Sequence, residues 1–62
     1  MRPYAIYVKG ELRYLGLHAS EADCWTVAKG WPSNNEIEQY KRAGEICLPV
    51  RVVALGKEQS NG

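Results

Sequence analysis

Apolar and polar residues near the N-terminus follow the alternation of β-strands. Two stretches rich in β-branched and aromatic residues, 4–9 and 12–17, flank Gly10-Glu11, which suits a two-residue hairpin loop with glycine in its first central position. The other possible loop, Lys9-Gly10, would set a charged residue of the second strand beside Ile6 and is disfavoured. The preferred register divides the hairpin into one apolar face, with Tyr4, Ile6, Val8, Leu15 and Leu17, and one outer face, with Tyr7, Lys9, Leu12 and Tyr14.

Two helices are predicted after the hairpin. Residues 20–23 have the hydroxyl-then-acid spacing of a helix start, and the Gly-Trp-Pro sequence at 30–32 ends that helix. Its tryptophan is expected to fold back near Trp25. A second capping box at 33–36 begins a helix over about 34–43. The apolar stripe of this second helix is narrow, which predicts a helix on the surface.

A third strand is predicted over 46–55, where Pro49 restricts it to an edge of the sheet. The elements together predict an α+β fold of order ββααβ, a two-layer sandwich in which a three-stranded sheet carries both helices on one face. If the helices run out and back, the last strand lies parallel beside the first; the alternative is antiparallel beside the second. We expect one domain over 1–56 and a frayed tail over 57–62.

Composition restricts the function classes. The chain has 62 residues, of which 45% are hydrophobic and 24% charged, as in one small globular domain. The net charge of +1, without runs of like charge, gives no bulk sign of nucleic acid or anionic membrane. No apolar run has the length of a secretion signal or a membrane span, so we expect a cytoplasmic protein with Cys24 and Cys47 as buried free thiols.

Residues for catalysis or metal binding are sparse. His18 is the only histidine, and although Ser20 and Cys24 are near it, no orienting acid or glycine-rich loop completes a catalytic site. The cysteines form no close ligand pair with each other or with His18. We therefore expect no enzymatic activity, no metal site and no cofactor.

Every aromatic side chain has a polar tip, because the six aromatic residues are Tyr or Trp and none is Phe. Such side chains suit interaction surfaces. The leading hypothesis is a small non-enzymatic protein-binding module, an adaptor or inhibitor of the kind that phages and other mobile elements encode. Its candidate surface is the outer hairpin face or a strip beside the second helix, with Tyr7, Lys9, Leu12, Tyr14, Trp31 and Tyr40.

The third strand suggests a second interface. Alternation places apolar residues on both of its faces, although a two-layer monomer covers only one face of its sheet. We therefore expect a homodimer. The candidate dimer residues are Arg51, Val53 and Leu55.

A nucleic-acid-binding domain that uses the sheet face is the alternative. The stretch 14–22, a strand running into a helix, resembles the corresponding part of ethylene-response-type DNA-binding domains, which read DNA with a three-stranded sheet before the helix. Only two strands precede the helix here. In this hypothesis Tyr7 and Tyr14 stack on bases, and Lys9, Arg13 and Arg51 contact phosphates.

Overall fold

The computed structural model describes residues 1–53. In chain order its elements are β1 (Arg2–Val8), β2 (Glu11–His18), α1 (Glu21–Lys29), α2 (Asn34–Arg42) and β3 (Glu45–Pro49). The strands form one antiparallel sheet in the order β2-β1-β3. The predicted α+β fold of order ββααβ is confirmed.

Both helices begin at the predicted serine caps. The Ser20 hydroxyl accepts a hydrogen bond from the backbone N–H of Asp23 at 3.2 Å. Ser33 and Glu36 form a complete capping box, in which each side chain accepts from the other residue's backbone N–H. Gly30 ends α1 in the left-handed conformation, with φ of 72°. The helix bounds are therefore fixed by local hydrogen bonds that can be recognised in the sequence.

The strand β3 lies beside β1, as expected, but runs antiparallel to it. The parallel direction predicted from the sequence is wrong, because α1 packs across the sheet whereas α2 packs against β3 and does not retrace α1. The strand is also shorter than predicted. Its pairing with β1 closes where the N–H of Val50 donates to the carbonyl of Pro3 at 3.0 Å, close to the N-terminal end of β1.

The hairpin adopts the register that the sequence analysis disfavoured. Residues 9 and 10 form the turn, with φ of 52° and 84°, and Val8 pairs with Glu11. Positive φ at both central positions gives the strand twist that hairpins favour. A β-bulge leaves Arg13 without a partner on β1. The bulge places Ile6 opposite Tyr14, so the charge conflict expected for this loop does not arise.

The core lies between the helices and one face of the sheet. Ile6, Cys24 and Trp25 are its largest fully buried side chains. Tyr4 and Cys47 complete the buried cluster, and Tyr14, Ala28, Ile37 and Tyr40 pack around it. After the bulge, each residue of β2 points to the opposite side of the sheet from the one that alternation from the turn predicts. Leu15 and Leu17 therefore do not share this face with Ile6, contrary to the prediction.

Candidate protein-binding surface

The side of the sheet opposite the helices, here called the open face, consists of apolar residues. Paired residues on neighbouring strands share a face, so cross-strand pairing arranges this side in three rows. None of its residues is charged. The open face comprises Pro3, Ala5 and Tyr7 of β1, Leu12, Leu15 and Leu17 of β2, and Ile46 and Leu48 of β3.

Five large aliphatic side chains of the open face lie half in water, between 45% and 63% exposed. These exposed fractions correspond to roughly 500 Å² of contiguous apolar surface, near the upper end of the largest patch on a typical monomer. Single exposed leucines are ordinary, whereas a contiguous patch near the upper end of this range is a candidate interaction site. The open face is therefore the strongest candidate surface among residues 1–53.

Only Tyr7 and Leu12 of the predicted outer hairpin face lie on the open face. Tyr14 lies on the helix-covered side, where its hydroxyl is 2.7 Å from Nε2 of His18 and the two rings stack at 5.7 Å. Lys9 belongs to the hairpin turn, and its backbone N–H donates to the carbonyl of Gly44 at 3.3 Å. The bulge separates Tyr14 from Tyr7 and Leu12, and the position of the turn removes Lys9 from the strand. Alternation alone gives no signal for a bulge.

The predicted strip beside α2 is divided between the core and the solvent. Tyr40 stacks on Trp25 with ring centroids 6.1 Å apart, and Nζ of Lys29 lies 4.5 Å above the Tyr40 ring. Trp31 is instead 82% exposed. It does not fold back near Trp25 as predicted, because its backbone adopts φ of 61° and its N–H donates to the carbonyl of Thr26. Tyr40 thus contributes to packing, and Trp31 stands in solvent beyond α1.

The candidate dimer residues lie beyond the end of β3. Arg51 and Val53 are exposed and belong to no strand. Leu55 and the tail predicted over 57–62 lie outside the described residues. The residues of the third strand that lie on the open face are instead Ile46 and Leu48.

Cys24 and Cys47 are free thiols in the core, one on α1 and one on β3. Burial raises the pKa of both thiols, and burial together with a hydrogen bond to Cys24 raises the pKa of Cys47 to about 12. A thiol nucleophile must be deprotonated. Both sulfurs are therefore neutral and inert at physiological pH.

The groove between the two helices contains a hydrogen bond between side chains of α1. This groove of about 350 Å³ is lined by Trp25, Ile37 and Lys41, among others; there the indole N–H of Trp25 donates to Glu21 at 3.0 Å. Within residues 1–53, no group of three His, Cys, Asp or Glu side chains could hold a metal ion. In that same part of the chain, no helix is long and apolar enough to cross a membrane.

Comparisons with protein-family models, with curated proteins and with solved structures found no match to this chain. Its function is therefore inferred from the chemistry of its surfaces.

Proposed function

We propose that the protein is a small non-enzymatic protein-binding module, an adaptor or inhibitor that binds a protein surface with its open face. The proposal is supported by one observation above all: the helices cover one side of the sheet, and the other side is an uncharged apolar surface. Burial of roughly 500 Å² at about 25 cal/mol per Å² supplies about 12 kcal/mol before the costs of association. That amount is comparable with the roughly 4 to 15 kcal/mol that association costs in lost translational and rotational freedom.

The chemistry of the open face defines the kind of partner. Its centre has aliphatic side chains, and Tyr7 adds an aromatic ring with a hydroxyl at one end. Such a surface fits an apolar protein surface with a hydrogen-bonding group at its rim. Because no charge takes part, binding depends only weakly on salt.

The nucleic-acid alternative gains no support from the geometry. Tyr7 and Tyr14, the two candidate stacking residues, lie on opposite sides of the sheet. Arg13 is paired with Glu11 at 2.8 Å, which neutralises one of the few cations near the sheet. A binding groove for single strands needs aromatic rings and cations on one surface.

We propose the cytoplasm as the compartment, since free thiols such as Cys24 and Cys47 persist in a reducing environment. The absence of a catalytic role is likewise part of the proposal. This part of the proposal is supported by the two thiols, which stay protonated, and by the His18 side chain, which is 5% exposed and hydrogen-bonded to Tyr14.

The test compares two charge substitutions at similarly exposed positions. Leu48 on the open face is 45% exposed and Val27 on α1 is 56% exposed. With tagged protein as bait, Leu48→Glu is expected to reduce capture of any specific protein at least about tenfold, because an unpaired carboxylate is costly to bury. Val27→Glu is the matched control and should leave capture unchanged. Equal effects of the two variants would contradict the proposal.

A further inference from the structure

We infer that the protein surface bound by the open face is that of a second copy of the same chain. Two sheets then stack face to face, with the helices of both copies on the outside of a four-layer dimer. This inference rests on the proposed function and names the partner of that same surface.

The area of the open face agrees with a weak, reversible dimer. Two copies together remove up to roughly 1,000 Å² of accessible surface, which is below the roughly 1,200 Å² of stable specific interfaces and within the range of weak, transient ones. Interfaces of this size are held in the micromolar range when their packing is good. The dimer is thus expected to dissociate on dilution.

The absence of charge makes the open face compatible with its own copy. In a two-fold interface the same patch is contributed by both chains, so any charged group meets a like charge close to the axis. The eight residues of the open face include none. The nearby Arg13 and Glu11 side chains neutralise one another at 2.8 Å, and the whole chain has a net charge of only +1.

The sizes of the side chains on the open face also suit packing of one sheet on another. In its middle row the small Ala5 of the central strand lies between Leu15 and Leu48 of the two edge strands, and the large Tyr7 occupies the central strand in the next row. Ala5 is only 1% exposed because Leu15 and Leu48 flank it. When two sheets stack about 10 Å apart, side chains of one face interdigitate with those of the other.

Sedimentation velocity of the full chain, from about 1 to 200 µM, tests the inference. We expect a monomer–dimer equilibrium with a Kd in the micromolar range. Leu15→Glu, in the middle row of the open face, should raise that Kd at least about tenfold. Val27→Glu, a substitution at a similarly exposed position on α1, should leave it unchanged. Circular dichroism verifies that each variant is folded.

A measurement on unsubstituted protein covers the case in which Leu15→Glu does not fold. In a mixture of labelled and unlabelled chains, isotope-filtered NMR should show contacts between the methyl groups of Leu15 or Leu48 and those of the other molecule. Absence of these contacts in a dimer, or a dimer that Leu15→Glu does not weaken, overturns the inference.

Other occupants of the open face give different results. A full chain that stays monomeric at about 200 µM overturns the second-copy inference. If the full chain is monomeric and Leu48→Glu still abolishes capture of another protein, the partner is a different protein and the proposed function stands. The proposed function fails separately when Leu48→Glu and Val27→Glu behave alike in capture.

Discussion

Gly16 on β2 tests the packing of the helix-covered side, because replacing it with alanine has two effects of opposite sign. Tyr14 and His18 lie four residues apart on one strand, which separates their Cα atoms by about 13 Å, yet the Tyr14 hydroxyl is 2.7 Å from Nε2 of His18. The two side chains meet over Gly16. A Cβ at that position would lie 2.6 Å from the Tyr14 oxygen and 2.9 Å from Nε2 of His18. Alanine therefore separates the hydrogen-bonded pair.

Backbone propensity alone predicts that Gly16→Ala stabilises the strand by about 0.5 to 1 kcal/mol. The geometry predicts the reverse. The lost hydrogen bond costs about 1 kcal/mol, and His18, at 5% exposure, would retain a buried ring nitrogen without its partner. Steric overpacking adds about 1 to 3 kcal/mol. We expect a net loss of about 1 to 3 kcal/mol in the free energy of unfolding, a large share of the roughly 3 to 9 kcal/mol expected for a domain of this size.

Urea denaturation followed by tryptophan fluorescence measures this change, and Tyr14→Phe provides the control. Phenylalanine removes the nearest atom and the hydrogen bond together, so Gly16→Ala should cost about 1 kcal/mol less in the Tyr14→Phe background than in the original chain. A stabilising Gly16→Ala would refute this reasoning. So would strictly additive effects of the two substitutions.

Three further predictions concern the core and its border. The pKa of the Cys47 thiol is raised in the folded state, so the thiol of the unfolded chain loses its proton at a lower pH. The contribution of this thiol to the free energy of unfolding is therefore complete below about pH 9 and falls toward pH 12, by up to about 1.4 kcal/mol per pH unit. Cys47→Ala should reduce that slope in alkaline denaturation. Nζ of Lys29 lies 2.7 Å from Oε1 of the largely buried Glu45; Lys29→Met should cost about 1 to 3 kcal/mol in urea denaturation, and adding Glu45→Gln should recover part of it. Trp31→Asn should raise Tm, with a gain of about 0.5 to 1 kcal/mol from the left-handed backbone; a fall in Tm would show that Trp31 makes stabilising contacts.

Short-range signals in the sequence were sufficient for the helices and for the element order. Ser20 and Ser33 cap helices through hydrogen bonds that span three residues, so their spacing in the sequence is also their geometry. The direction of β3 depends instead on how two helices pack on a sheet. No local pattern specifies that packing, and the out-and-back path assumed from the sequence was wrong.

The sequence analysis did not predict the open face, because one unpaired residue changes the side of the sheet to which the following residues of β2 point. Strict alternation places Leu15 and Leu17 on the same face as Ile6, which gives a plausible apolar core. With Arg13 in a bulge, those leucines move to the other side of the sheet. Both assignments leave apolar residues on the uncovered side. A second layer over the uncovered apolar face would bury more surface, and the helices of one chain supply only one layer, which is the basis of the proposed binding surface.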